Sequence, residues 1–147
     1  MINSKISEKL AVLARIDPDA QAAGTATSAY VSMGNYKRVM AMVCAGDLGA
    51  SATLDAKLQQ AQDSGGTGVK DITGKLITQL TQAGTDSDKV ALINLDADDL
   101  DRANGFTHVR LSMTVAVATS ETAAYLFGMD SRYLPVTQGT FVDETVG

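Results

Sequence analysis

The densest group of side chains that could do chemistry is the acidic run Asp96-Ala97-Asp98-Asp99-Leu100-Asp101. A calcium loop needs oxygen ligands at alternating positions, a central glycine and a bidentate glutamate at its end. Here Leu100 occupies a ligand position, Gly105 comes too late and no glutamate closes the run. Acidic side chains also favour the positive N-terminal end of a helix. The run therefore predicts a short helical turn rather than a metal site.

A glycine-rich stretch, Asp63-Ser64-Gly65-Gly66-Thr67-Gly68, is followed by Val69 and Lys70. A phosphate-binding loop has the spacing Gly-x-x-x-x-Gly-Lys-Ser/Thr and leads into a helix. This stretch lacks that spacing and leads into a segment with strand character. We therefore interpret it as the loop of a β-hairpin.

Two single residues could act as a nucleophile or a base. Cys44 lies in the apolar run 39–45, where a thiol packs as a small hydrophobic side chain. His108 is the one histidine of the chain, and a single histidine makes neither a metal site nor a catalytic triad. We expect no enzyme activity, no catalytic residues, no metal and no cofactor.

The elements that hold these residues follow a period of two. In residues 52–61, Leu54, Ala56 and Leu58 alternate with polar side chains, as in a strand with one buried and one wet face. The same alternation recurs in residues 36–45, 75–82, 89–95, 106–119 and 123–129. The pattern predicts an all-β fold, an antiparallel sandwich resembling a jelly roll with about eight strands.

Composition narrows the class of partner. The chain has 147 residues, the size of one domain, and a net charge of −5, which disfavours nucleic acids and anionic membranes. With one cysteine, no intrachain disulfide can form. We see no signal peptide and no run of the roughly 20 apolar residues that span a bilayer. We therefore expect synthesis in the cytoplasm and no nucleic-acid or membrane partner.

The N-terminal residues have a different period. Ile2, Ile6, Leu10 and Leu13 are spaced by three or four residues, as on one side of a helix, and Pro18 would end that helix. We predict a partly helical N-terminal arm over residues 1–24, a β-sandwich domain over 25–136 and a C-terminal tail over 137–147. The arm docks either on its own domain or on a neighbouring subunit.

Two predicted strands, residues 39–45 and 115–118, are apolar on both faces. One face of a two-layer sandwich should be wet. The second face therefore predicts cover by the arm or by another copy of the chain. We expect this face to carry the small residues Ala41, Ala45, Ala116 and Ala118.

Several stretches together resemble a family of tailed-bacteriophage virion proteins. They are residues 14–18, 57–63, 66–68, 70–75, 98–101, 105–110 and Arg132-Tyr133-Leu134-Pro135. The resemblance covers most of the chain, and its motifs are structural rather than catalytic. It implies a jelly-roll-like capsid decoration (cement) protein or another minor head component.

The resemblance also implies partners and a location. The expected partners are the major capsid protein, other copies of the chain in a homo-oligomer, or both, on a virion assembled after synthesis in the host cytoplasm. The alternatives are a carbohydrate- or host-surface-binding β module and a head–tail or tail component. We expect Ile2, Ile6, Leu10 and Leu13 to anchor the arm, and Phe106, His108 and Arg110 to lie on the contact face.

Overall fold

The computed structural model describes residues 3–147. The chain is all-β, with short 3-10 turns at Ile6–Glu8, Ala97–Asp99 and Arg102–Asn104. Its strands are β1 (Ala11–Gln21), β2 (Gly24–Thr27), β3 (Val31–Ser32), β4 (Tyr36–Ala45), β5 (Thr53–Ala61), β6 (Lys70–Leu76), β7 (Leu80–Thr81), β8 (Val90–Asp96), β9 (His108–Ala116) and β10 (Ser120–Ser131).

The strands form two antiparallel sheets. The four-stranded sheet has the order β1-β10-β4-β8, and the six-stranded sheet has the order β2-β9-β5-β6, with β3 paired to β9 and β7 to β5. Because β2 and β3 share one partner and β6 and β7 share another, the ten strands fill eight positions. The resulting order is that of a jelly roll, which confirms the predicted fold class.

The core lies between the inner faces of the two sheets. Strand β5 shows the predicted alternation, with Leu54, Ala56 and Leu58 buried and the residues between them half-buried. In β9, Val109, Leu111, Met113 and Val115 point inward in the same way. Alternate residues therefore divide each central strand into a core side and an outer side.

The predicted N-terminal helix is wrong, because only Ile6–Glu8 forms a single 3-10 turn. Strand β1 follows and pairs with β10 along its length, with bulges between Val12 and Ala14 and between Ile16 and Asp19. Pro18 lies in the second bulge of this edge strand, where the missing N–H breaks no ladder hydrogen bond. Pro18 thus marks a bulge rather than the end of a helix.

The C-terminal segment packs along β1. Gly139 N–H donates to the Val12 carbonyl at 2.8 Å, and Val136 N–H donates to the Glu8 carbonyl at 3.0 Å. The Gln138 side chain accepts from Val12 N–H at 2.8 Å and donates to the carbonyls of Ser7 and Leu10, each at 2.9 Å. These bonds cover the start of the β1 edge, at Val12, and the residues that precede it.

Candidate binding surface

The outer side of the four-stranded sheet is apolar. We call this surface the apolar face. Val90 and Leu92 on the edge strand β8 are 58% and 56% exposed, and Met129 on β10 is 44% exposed. The other apolar side chains of the face are half-buried. The members of the face are Met40, Met42, Cys44, Val90, Leu92, Tyr125, Phe127 and Met129.

The strand register arranges these side chains in rows. Met42 lies opposite Tyr125 on one side and Leu92 on the other, which makes one continuous apolar row across three strands. Met40 lies opposite Phe127 in the next row. The rings of Tyr125 and Phe127 are 6.3 Å apart between centroids and inclined at 40°. Side chains that lie directly opposite each other on neighbouring strands stabilise one another, so the face is a packed patch rather than a set of scattered side chains.

The prediction that β4 is apolar on both faces agrees with this arrangement, but the assignment of its small residues is wrong. Ala41 and Ala45 are buried on the inner side, and Met40 and Met42 face outward. The facing sheet fills the core with large side chains such as Leu58, Leu111 and Met113, and β4 contributes smaller residues to the same core. The large flexible side chains therefore lie outside.

A groove of about 560 Å³ lies at one end of the apolar face. Leu10, Met40, Phe127 and Met129 form its apolar lining, and Arg38, Asn94 and Asp96 supply a polar rim. The face is therefore indented at this end and offers a concave apolar surface.

One charged side chain of the groove, Arg38, is held in an ion pair. Arg38 Nε donates a hydrogen bond to Asp130 Oδ2, which raises the pKa of the Arg38 guanidinium and lowers the pKa of the Asp130 carboxyl. At the other end of the face, burial raises the pKa of the Cys44 thiol. A raised pKa disfavours the thiolate, which is the nucleophilic form of cysteine.

The outer side of the six-stranded sheet is polar, and we call it the polar face. Its side chains bond to one another. Lys57 Nζ and Gln59 Nε2 donate to Asp71 at 2.7 and 2.8 Å, and Arg110 Nε donates to Gln59 Oε1 at 3.0 Å. Thr25 and Thr114 are hydrogen-bonded across β2 and β9 at 2.8 Å. Much of this surface is therefore satisfied within the chain.

The predicted contact residues near β9 do not share one surface. His108 and Arg110 are half-buried on the polar face, and the Arg110 guanidinium lies 4.9 Å from the centre of the Tyr30 ring. Phe106 is only 6% exposed and lies beneath Lys70, whose Nζ is 4.2 Å from the ring centre. The outward placement of Phe106 is wrong because the residue precedes β9 and does not follow its alternation.

The residues predicted to anchor the N-terminal arm also lie in different places. Ile2 lies outside the described residues. Ile6 is 78% exposed, and Leu10 lines the groove of the apolar face. Leu13 packs against the core, and a Cβ added at Gly128 would lie 2.5 Å from Leu13 Cδ1. Leu13 thus anchors β1 to its own chain, above a glycine that makes room for it.

The acidic run forms turns, as its sequence predicted. Asp99 Oδ2 accepts from Asp96 N–H at 2.9 Å and pairs with Lys75 Nζ at 2.9 Å. The backbone hydrogen bond and the lysine lower the pKa of Asp99. Asp101 pairs with Lys70 and accepts from Asn104. Within residues 3–147, no group of three or more His, Cys, Asp or Glu side chains could hold a metal ion.

The glycine-rich stretch is the loop between the antiparallel strands β5 and β6, as predicted. Asp63 Oδ1 accepts from the N–H groups of Gly65 and Thr67 at 2.9 and 3.1 Å. A hydrogen bond from Thr67 Oγ1 to Asp63 lowers the pKa of that carboxyl. The N–H groups of Gly65 and Thr67 are therefore bound within the loop itself.

In the part of the chain that the structure describes, no helix is long and apolar enough to cross a membrane.

Comparison with known proteins gives only distant likenesses. No model of a protein family matches the chain, and no curated protein matches it. A chain in the structure of infectious bursal disease virus, Gx strain, aligns with a TM-score of 0.41 and 11% identity. That alignment covers 86% of this chain and 34% of the viral one, so the chain spans about a third of that neighbour's length.

A second solved structure, the xylan-binding module CBM15, aligns with a TM-score of 0.37 and 10% identity over 90% of this chain and 97% of the module. Both likenesses are too weak to indicate a function. The functional candidate therefore rests on the apolar face. The sequence signal for this face was a large apolar residue at every second position, on the side of each strand opposite the core residues. These residues are Met40 and Met42 in β4, and Tyr125, Phe127 and Met129 in β10.

Proposed function

We propose that this chain is a structural virion protein, a capsid decoration protein that binds the head surface of a tailed bacteriophage through its apolar face. The observation that carries the proposal is the contrast between the two outer surfaces of the sandwich. One sheet presents packed apolar rows to solvent, and the other presents polar groups that bond to one another. The proposed location is the virion, and the proposed partner is the major capsid protein.

The apolar face has the features of a docking surface. Its centre consists of aromatic and methionine side chains, the residue types enriched in the cores of protein interfaces. At its rim, Arg38 is paired with Asp130, and Asp96 is exposed. A partner that covers the centre and leaves Asp96 in water therefore buries no unpaired charge, which would be costly.

A role without catalysis accords with the state of the reactive groups. The carboxylates Asp99 and Asp101 are held in turns and ion pairs, and burial raises the pKa of the Cys44 thiol, which disfavours its thiolate form. His108 Nδ1 is hydrogen-bonded to the hydroxyl of its neighbour Thr107 at 2.9 Å. These groups serve local structure in the chain, and the proposal assigns none of them to a reaction.

The resemblance noted in the sequence points to the same class, and the rigid sandwich suits it. A decoration protein adds buried area across the seams between capsomers and so opposes the outward pressure of packaged DNA. A jelly roll whose residues 136–139 are hydrogen-bonded to residues 7–12 can carry such a load without an active site.

The proposal is tested by rebinding to phage particles that lack this chain. Particles are prepared from the phage that encodes it after deletion of the gene, mixed with recombinant protein and separated from free protein by sedimentation. Two matched variants place a lysine on the outer side of a central strand: Met42→Lys on the apolar face and Thr114→Lys on the polar face. Bound protein is measured by gel densitometry.

We expect saturable rebinding of the wild type and of Thr114→Lys, and at least a tenfold weaker affinity, about 1.4 kcal/mol, for Met42→Lys. Absence of the chain from wild-type particles, or equal rebinding of both variants, would contradict the proposal. If the chain instead binds a glycan in an array and leaves particles untouched, the carbohydrate-binding alternative replaces it.

A further inference from the structure

The two edges of the four-stranded sheet are treated differently by the chain. The β1 edge carries two bulges and a proline, and Gln138 and Gly139 bond to its backbone. Such devices prevent an edge strand from pairing with another strand. The β8 edge has no bulge in its pairing with β4 and no proline. Only one of the two edges is therefore protected by the chain itself.

The register shows which backbone groups of β8 remain unpaired. Ala45 N–H donates to the Lys89 carbonyl at 2.8 Å, and residues 90–96 continue that antiparallel ladder against β4. Alternate residues of an antiparallel strand direct their N–H and C=O groups to the same side. The backbone groups of Val90, Leu92 and Asn94 therefore point away from β4. Within residues 3–147, no strand pairs with β8 on that side.

The next outward-pointing N–H group along this edge is already hydrogen-bonded within the chain. Asp96 N–H also points away from β4, but it donates to Asp99 Oδ2 at 2.9 Å. Asp99 is in turn held by Lys75. A strand that adds to this edge can therefore use the N–H groups of Val90, Leu92 and Asn94, but not that of Asp96.

We propose that the β8 edge pairs with the β8 edge of a second copy of the chain, antiparallel and about a two-fold axis at Leu92. In this register Leu92 faces Leu92 of the other copy, and Val90 faces Asn94. Each of the three free N–H groups then meets a carbonyl, and Asp96 is not needed. The two four-stranded sheets become one continuous sheet.

The side chains fit the same axis. The apolar row Tyr125, Met42 and Leu92 continues across the axis into the corresponding row of the second copy. Leu92, now 56% exposed, becomes the centre of this extended row. An interface that uses the same patch on both subunits closes as a dimer. The inference is independent of the capsid proposal, because it stands on the edge strand alone.

The test measures self-association in solution by sedimentation velocity between about 1 μM and about 1 mM protein, because dimer formation depends on concentration. Two variants act on the edge. Leu92→Lys places two like charges opposite each other at the axis. Asn94→Pro removes an N–H that the chain itself does not use. Phe127→Ala is the control, because it changes the apolar face on β10, two strands away from the β8 edge, and leaves the edge backbone intact.

We expect a dimer for the wild type and for Phe127→Ala, with a dissociation constant at least about tenfold higher for Leu92→Lys and for Asn94→Pro. In the wild type, amide hydrogen exchange at Val90, Leu92 and Asn94 should slow as the protein concentration rises. Circular dichroism spectra that match the wild type establish that each variant is folded.

A monomer at every concentration would overturn the inference, and so would a dimer that neither edge variant weakens. If these three amides are protected only on phage particles, the β8 edge pairs with the capsid protein and not with a second copy of the chain. The control also separates the two proposals, because Phe127→Ala should weaken particle binding but keep the dimer.

Discussion

The two outer surfaces of this sandwich differ in a way that the core does not require. Both sheets bury alternate residues against a shared core, and in both the remaining residues face outward. On the six-stranded sheet those residues are Thr, Asp, Lys, Gln and Arg, bonded to one another. On the four-stranded sheet most of them are Met, Leu, Val, Tyr and Phe, with Arg38, Asn94 and Asp96 at one end. A solvent-facing sheet normally carries polar residues, and this difference is the basis of our proposal that another molecule docks on the apolar face.

The largest expected effect is on the free energy of unfolding, and it compares a core residue with a residue of the apolar face in the same sheet. Leu126 on β10 is fully buried, whereas Leu92 on β8 is 56% exposed. We expect Leu126→Ala to lower the free energy of unfolding by about 2–5 kcal/mol, because it leaves a cavity. Leu92→Ala should cost less than about 1 kcal/mol. Urea unfolding of both variants measures the difference, and equal losses would mean that the apolar face is retained for stability.

The next effect compares the two surfaces as contact sites. We expect Phe127→Ala to weaken particle binding by about tenfold or more, because buried aromatic side chains dominate interface energies. Arg110→Ala, on the polar face, should leave binding unchanged, since its guanidinium is engaged by Gln59 and Tyr30. The rebinding assay measures both. A larger loss for Arg110→Ala would move the contact site to the polar face.

A smaller effect concerns the protected edge of the apolar sheet. Gln138→Ala removes three hydrogen bonds to the backbone of Val12, Ser7 and Leu10. We expect a loss of about 1–2 kcal/mol in unfolding free energy, since the freed groups are partly open to water. Amide exchange at Val12 should become faster, while exchange in β8 stays unchanged. Unaltered exchange at Val12 would show that the side chain does not hold this edge.

The smallest effect is the acid response of the polar face. Hydrogen bonds from Lys57 and then Gln59 lower the pKa of Asp71. A carboxyl with a lowered pKa stabilises the fold above its unfolded pKa of about 3.9, and the contribution is lost as the pH falls through the folded pKa. The pair is more than one third exposed, so the contribution should be below about 1 kcal/mol.

The check on this effect is urea unfolding at pH 7 and near pH 3 for the wild type and for Asp71→Asn. The variant should lose less stability on acidification than the wild type. An identical pH dependence of the two proteins would mean that Asp71 contributes nothing to the acid response.

The fold could be predicted from the sequence because the residues of its central strands follow a strict period of two. Residues 36–45 and 52–61 give the position of β4 and β5 to within one residue, since one side of each strand must be apolar. Strand β1 was missed for two reasons. Its bulges break the period of two, and its proline imitates a helix stop. The alternation of buried Ala14 and Ile16 with exposed Arg15 and Asp17 was the available signal.

The contact surface was harder to predict than the fold. Alternation shows that β4 has two apolar sides, but it does not say which side faces the core, because Val39, Ala41 and Val43 are as apolar as Met40 and Met42. That choice depends on the space left by the opposite sheet, which is a property of the packed structure. The predicted contact residues His108 and Arg110 face outward, as the alternation of β9 indicated, but they lie on the polar face.

The most direct test of the central claim uses the methionines as internal probes. Free and particle-bound protein are exposed to hydrogen peroxide, and sulfoxide formation is measured by mass spectrometry at Met40, Met42 and Met129, with the fully buried Met113 as the reference. If the apolar face contacts the capsid, these three residues are oxidised in the free chain and protected on the particle. Equal oxidation of Met129 and Met42 in the two states would contradict the account.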